Sequence, residues 1–305
     1  MNCLITGGAG FVGSYLAEAL INLEHTVTII DNYSTGRLKN IQNLHVEVKH
    51  QDVSKITTGI DKYDVVFHLA AKPFSKAKTD WFSESNSIFH SNVVGTYNIL
   101  RLMNPKCHFI FTSSASVYGE GRKIEENSRF HPQSAYGYSK MMAEQIIINS
   151  PRQHTIVRPA TIIGPRGRCF PNRVMWSLVH NKQCKFFKNG EILRDMIDVN
   201  DVVSALIKIM DTKTHGIFNL GSNLEITGKQ LMNIAKEFKP NIKFHGIYTP
   251  FVPQDFVAES TLMSDKLYQA LNWKPETTLL KSLNNIYDYY FFDKTTTEPP
   301  NWSDL

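Results

Sequence analysis

The first two dozen residues constrain the fold more than any other stretch of the chain. Asn2 to Thr6 is a short apolar run, and Gly7-Gly8-Ala9-Gly10-Phe11-Val12-Gly13 follows it directly. Apolar residues then recur at Val12, Leu16, Ala19, Leu20 and Leu23, the spacing of a helix with one buried face. A strand passing through a glycine-rich turn into a helix is half of a crossover unit, and crossovers build parallel sheets. The alternation continues. Short runs at 26–31, 45–50, 64–70, 108–114 and 154–159 read as strands, the last stopped by Pro159. Helical spacing runs over 92–103 and 140–148. Right-handed crossovers then give an α/β fold, a doubly wound parallel sheet of the Rossmann type.

Past Pro165 the pattern changes. An irregular basic stretch, RGRCFPNR, precedes KFFKNGEILRD, which predicts a hairpin around Asn189-Gly190. An amphipathic helix at 199–210, a strand at 216–221 and helices near 227–238, 264–272 and 279–292 follow. The expected division is a nucleotide-binding domain over 1–163 and a smaller C-terminal α/β substrate-binding lobe over 164–292, with a loose polar tail at 293–305. The strand near 216–220 is placed to rejoin the sheet.

Composition excludes several functions. The 33 basic and 28 acidic residues leave a net charge of +5 with no long run of one sign, which argues against nucleic-acid and membrane-surface binding. Cys3, Cys107, Cys169 and Cys184 are scattered with no CxxC pair, so neither a disulfide framework nor a metal site is expected. No apolar segment reaches the 18 or so residues of a membrane span, and MNCLITGG lacks a signal-like flank. The expected location is cytoplasmic.

The glycines carry the first chemical reading. Gly7, Gly10 and Gly13, with Phe11 and Val12 between them, would let backbone approach a pyrophosphate at a helix N-terminus. Asp31, ending the second strand, can accept hydrogen bonds from the adenosine ribose and would repel a 2′-phosphate, which favours NAD over NADP. Arg37, in the next loop, is the competing feature. Asp52, with Val53 after it, is placed near the adenine, and a helix N-cap is the alternative role for Asp52.

SAYGYSK, Ser134 to Lys140, carries the second. Tyr136 and Lys140 are one helical turn apart, whereas Tyr138 points elsewhere. A free phenol has a pKa of about 10, and an adjacent ammonium would lower it enough for a general base.

TGGAGFVG, the Asp31 to Gly36 run DNYSTG, HLAA at 68–71, NVVGT at 92–96, SSASVYG at 113–119, YxxxK and RPATIIGPR occur in order. Together they resemble the extended short-chain dehydrogenase/reductase family, and within it the NAD-dependent sugar-nucleotide epimerases and dehydratases, over nearly the whole chain. The resemblance implies that Tyr136 is the catalytic acid/base, that Lys140 binds the nicotinamide ribose, and that Ser114 hydrogen-bonds the reacting sugar oxygen. It implies cofactor contacts from Asn32, Ser34, Thr35 and Gly36, from Leu69, Ala70, Ala71 and Lys72, and from Asn92 and Pro159. It implies substrate contacts from Lys72, Ser116, Thr161, Arg166 and Arg194. Relatives of the dehydratase type carry Asp-Glu where Ala115-Ser116 stands, and decarboxylases carry Glu at the position of Ser116. Thr161 replaces a common asparagine, and VPQD at 252–255 lacks a usual phosphate-binding arginine. The resemblance thus implies a 4-epimerase of a nucleotide sugar, most simply a UDP-sugar, working as a homodimer. A reductase or dehydrogenase, a dehydratase, and a non-catalytic NAD(H)-sensing scaffold are the alternatives.

Overall fold

The structure, a computed structural model, describes residues 1–73, 81–238, 246–250 and 257–293. In its first half β1 (Asn2–Thr6), α1 (Phe11–Asn22), β2 (Thr26–Asp31), β3 (Glu47–His50) and β4 (Val65–His68) lead to α2 (Trp81–Phe89) and α3 (Gly95–Leu102). Then come β5 (His108–Thr112), β6 (Gly121–Ile124), α4 (Ala135–Ile148), β7 (His154–Pro159) and β8 (Thr161–Ile163). The second half holds α5 (Phe170–Val179), β9 (Cys184–Phe186), β10 (Leu193–Arg194), β11 (Met196–Asp198), α6 (Val199–Thr212) and β12 (Gly216–Leu220). It closes with β13 (Ile226–Thr227), α7 (Gly228–Phe238), β14 (Gly246–Tyr248), β15 (Glu259–Leu262), α8 (Asp265–Leu271) and α9 (Leu279–Phe292).

Seven parallel strands form the main sheet in the order β12-β7-β5-β4-β1-β2-β3. The order reverses between β1 and β4, and in such a sheet the crevice beyond the strand ends at that reversal is where ligands bind. β1, β2, β4 and β5 are buried on both faces, which is why each reads as an unbroken apolar run rather than an alternation. β3 is the exposed edge, and Glu47 and Lys49 make it charged and unattractive to a further strand.

Helices cover both faces. Leu16 and Leu20 of α1 pack with Val202, Leu206 and Ile209 of α6 on one side. Ile99 and Leu100 of α3 join Ala143 and Ile147 of α4 on the other. Each such aliphatic side chain contributes about 1.5–3 kcal/mol by leaving water. A separate cluster of Val174, Leu231, Leu283 and Ile286 forms the core of the C-terminal lobe under α5, α7 and α9.

The chain returns to the sheet after entering that lobe, because β12 pairs with β7 and α6 packs on α1. The lobe is therefore an excursion from the sheet in two pieces. The predicted hairpin at Asn189-Gly190 is absent. β9 pairs with β14 and β10 with β13 and β15, so the flanking strands belong to different sheets. Lys188 and Asn189 are left-handed, with φ of 47° and 51°, but the turn they make sends the chain sideways. The stretch read as irregular becomes helix from Phe170, with Pro171 in the first turn where its missing N–H costs no bond. The polar tail beyond Asp293 and the VPQD segment lie outside the described residues.

Candidate active site

The ends of β1, β2, β4, β5 and β7 open into one cleft of ≈ 1180 Å³. That exceeds the roughly 300–1,000 Å³ of a single small-molecule pocket, so there is room for a dinucleotide and a second ligand together. Gly7, Gly10, Phe11, Val12, Gly13, Asp31, Asn32, Ser34 and Thr35 line one end. Val53, Leu69, Ala70 and Ala71 line the middle, and Ser114, Tyr136, Lys140 and Pro159 the other end, while Arg166 joins the lining from beside α1.

The glycine loop fits a pyrophosphate for reasons visible in its packing. Gly7 has φ +74°, and a Cβ there would stand 2.7 Å from the Ala70 amide nitrogen. A Cβ on Gly13 would stand 2.2 Å from the Gly7 carbonyl. Helix α1 begins at this loop without a side-chain cap and without an acidic residue in its first turn, so its end stays open to an anion. The Asp31 carboxylate accepts from the Ala9 and Tyr33 amides at 2.9 and 2.7 Å, and burial raises its pKa against those two bonds. Gly36 does not line the cleft. A Cβ there would lie 2.9 Å from both Asp31 oxygens, so its bareness lets the loop close over the carboxylate. These features suit NAD.

Asp52 stays out of the cleft and caps the short turn Val53–Lys55, accepting from the Ser54 amide at 2.8 Å and from Asn32 Nδ2 at 2.9 Å. Burial would raise its pKa, but the Ser54 and Asn32 hydrogen bonds outweigh it, and the carboxyl sits below the usual range. The N-cap alternative is the one the geometry shows.

Helix α4 carries Tyr136 and Lys140. Ser134 caps it by accepting from the Gly137 amide, and a Cβ on Gly137 would meet the Ser116 carbonyl at 2.7 Å. That close approach sets Tyr136 against the short turn Ala115–Val117, which Ser114 caps. Tyr138 is on the outer face and 47% exposed. Lys140 is buried, donates to the Thr112 carbonyl at 2.7 Å, and lies 4.6 Å from the Phe111 ring centre and 5.9 Å from that of Tyr136.

The electrostatics depart from the sequence expectation. Burial pushes the Tyr136 phenol up to about 12, and a hydrogen bond with Ser114 offsets this only in part. Burial also pushes Lys140 down to about 7, against the pull of Glu144 one turn further along α4. At the phenol, desolvation therefore outweighs the Ser114 hydrogen bond.

Behind this pair lies a buried network. Glu144 and Arg158 form an ion pair at 2.6 Å, with side-chain exposures of 0% and 2%. Ser113 donates to the same carboxylate, and Arg158 donates to Tyr118 Oη at 2.6 Å and to the Glu126 carbonyl at 2.9 Å. It ties the ends of β5 and β7 to α4.

Several expected contacts lie elsewhere. Lys72 is held at its backbone by Asn92 and at Nζ by Ser87. Asn92, 1% exposed, sits in a π-helical stretch at His90–Val94 and reaches Ser139 rather than the cleft. Thr161 lies in β8, where its amide donates to the Asp195 carbonyl. Ser116 Oγ is buried without a hydrogen-bond partner among the described residues. Arg194 donates to the carbonyls of Leu193, Val257 and Ala258, and burial lowers it to about 10.

Arg166 does reach the cleft. With φ +69° it projects from the C-terminal lobe onto α1, donates to Ser14 Oγ at 3.0 Å and stacks 4.7 Å over Tyr15. Arg168 donates to the Thr35 carbonyl across the same gap. Cys169, Tyr289 and Tyr290 complete this outer wall and were not anticipated. Burial pushes the Cys169 thiol up to about 12. Among the described residues no group of three or more His, Cys, Asp or Glu is placed to hold a metal ion. No described helix is long and apolar enough to cross a membrane.

Comparison with known proteins finds the same fold. Residues 3–221 match the model of the NAD dependent epimerase/dehydratase family. A UDP-N-acetyl-alpha-D-glucosaminuronate decarboxylase of Bacillus cytotoxicus is 29% identical, over 98% of this chain and 97% of its own. The crystal structure of a Thermotoga maritima UDP-glucose 4-epimerase with UDP-glucose is 28% identical, with TM-score 0.83 over 95% of this chain and 98% of its own. That of a Bacillus cereus UDP-glucuronic acid 4-epimerase, in complex with UDP-glucuronic acid and NAD, is 25% identical, with TM-score 0.85 over 95% and 99%. The chain belongs to the NAD dependent epimerase/dehydratase family.

Proposed function

We propose that the protein is an NAD-dependent 4-epimerase of a nucleotide sugar, with a UDP-sugar as substrate and Ser114, Tyr136 and Lys140 as its catalytic residues. One observation carries the reading. Among the described residues that line the cleft, Asp31 is the only carboxylate, and it lies at the glycine-loop end, not beside Tyr136. The Tyr136 end therefore offers a phenol, a serine hydroxyl and an ammonium, with no carboxylate among the described residues. Dehydration and carboxylate-assisted routes need such a group, and Ala115-Ser116 supplies none.

Epimerisation at C4 needs only what is present. Tyr136, as phenolate, takes the proton of the C4 hydroxyl while Ser114 holds that oxygen. A dinucleotide held in the cleft would supply a reversible acceptor for the C4 hydrogen. Lys140 holds a positive charge or a proton behind Tyr136, and the same phenol returns its proton once the 4-keto sugar has presented its other face. Arg166 and Arg168 place positive charge at the cleft wall, which suits a diphosphate.

Decarboxylation is the second reading, supported by the name of the Bacillus cytotoxicus relative. Incubation with UDP-glucose, UDP-N-acetylglucosamine and UDP-glucuronic acid, followed by proton NMR of the sugar, separates the two. Inversion at C4 without loss of carbon is expected. A five-carbon product from the uronic acid would establish the decarboxylase, and unchanged sugars throughout would sink the epimerase reading.

A further inference from the structure

Between the glycine loop and the helix bearing Tyr136 runs a chain of hydrogen bonds, buried at its middle and part-buried at its ends, and its centre is a histidine. His68 ends β4 and is 0% exposed, as are Thr6, Thr96 and Ser139. Its Nδ1 lies 2.6 Å from Thr6 Oγ1 and its Nε2 lies 3.0 Å from Thr96 Oγ1. Thr96 Oγ1 donates its single proton to the Asn92 carbonyl at 2.6 Å. Nε2 must then be the donor to Thr96, and the Thr6 hydroxyl must donate to a bare Nδ1. Only the neutral Nε2–H form satisfies every partner. From Asn92 the chain continues, because Asn92 Nδ2 donates to Ser139 Oγ at 2.9 Å and Ser139 Oγ donates to the Tyr136 carbonyl at 2.7 Å.

Both ends of the chain abut the cleft, at Gly7 and at Tyr136. Thr6 directly precedes Gly7, whose contact with Ala70 leaves no room for a Cβ, and the Ala70 amide also donates to Thr6 Oγ1 at 3.3 Å. The His68 ring stacks on Phe111 at 5.7 Å, and Phe111 is the ring beneath Lys140 Nζ. An apolar residue at position 68 would fill the space as well. A fully satisfied polar chain differs by fixing one geometry, since each member costs free energy when misaligned.

We propose that His68 is a positioning residue, a neutral imidazole of fixed tautomer that couples the dinucleotide loop to the turn of α4 bearing Tyr136. The kinetic part rests on Tyr136 being the acid/base, whereas the cofactor-affinity and spectroscopic parts do not. Filling the loop with dinucleotide tightens the Thr6 end, and the chain transmits that constraint to the Tyr136 backbone.

The test uses the full-length protein with 15N-labelled histidine, and the variants His68→Phe and Thr96→Val. In wild type the His68 nitrogens should report a protonated Nε2 and a bare Nδ1, without titration between about pH 5 and 9, and should shift when NAD⁺ is added. His68→Phe should lower NAD⁺ affinity and kcat at saturating cofactor by about tenfold each, with KM for the sugar changed by less than about threefold. Thr96→Val, which keeps the ring, should move both in the same direction by less, and serves if His68→Phe fails to fold. A merely structural histidine would lower Tm while leaving NAD⁺ affinity and kcat within about twofold of wild type, and that result overturns the proposal. So does an Nδ1–H tautomer, or signals indifferent to NAD⁺. If no sugar is turned over at all, the affinity and NMR outcomes still decide.

Discussion

Tyr136 is held where its proton is hard to remove, at a pKa pushed up to about 12 by burial, and Lys140 where its proton is easily lost, at about 7. Replacing Tyr136 with Phe should lower turnover by about 10²–10⁴-fold while NAD⁺ affinity, measured by calorimetry, stays near wild type. Lys140 also makes a prediction about stability. Its folded pKa lies below its unfolded value, so the unfolded chain binds more protons between about pH 7 and 10.5, and stability rises with pH over that window. It is fully present above the unfolded pKa and lost as pH falls toward 7. Urea unfolding of the cofactor-free protein at pH 7 and 9 should show the rise, and Lys140→Met should flatten it. YxxxK spacing made the pair legible, because i and i+4 share a helical face. The phenol's pKa was not legible, because spacing reports neighbours and says nothing of how much water a fold excludes.

At the scale of elements, α4 is fixed by its capping serine, by Gly137 and by the Glu144–Arg158 pair. Removing Glu144 would leave a buried guanidinium without its carboxylate, so Glu144→Ala should cost about 3–5 kcal/mol in denaturant unfolding, and Glu144→Gln less. The strands and helices of the sheet were readable because apolar runs and helical periodicity are local signals. The hairpin at Asn189-Gly190 was misread because a left-handed turn specifies a change of direction without specifying which strands pair afterwards. The short strands β8, β10 and β13 have two or three residues each, too few for a period, and tertiary neighbours alone create them. Arg194 matched a motif by position, yet it spends its donors on the carbonyls of 193, 257 and 258, a choice that only the fold dictates.

At the scale of the molecule, the sheet's strand ends and a returning lobe enclose one cleft, with Tyr289 and Tyr290 of α9 brought to its wall from the far end of the chain. No local motif marks those two residues. The outer faces of α3 and α4 leave Tyr97, Tyr138 and Met142 exposed, and we propose that two copies pack through a face that includes the helix bearing Tyr136. Sedimentation velocity at micromolar concentration should give a dimer, and Met142→Glu should shift it toward monomer. The most direct test of the account is a UDP-sugar carrying deuterium at C4, incubated with the protein in ordinary water and read by NMR. One phenol working with one retained dinucleotide predicts inversion at C4 with the deuterium still on that carbon and no net reduction of cofactor. Loss of the label to water, or a product altered at C5 or C6 with C4 unchanged, would contradict it.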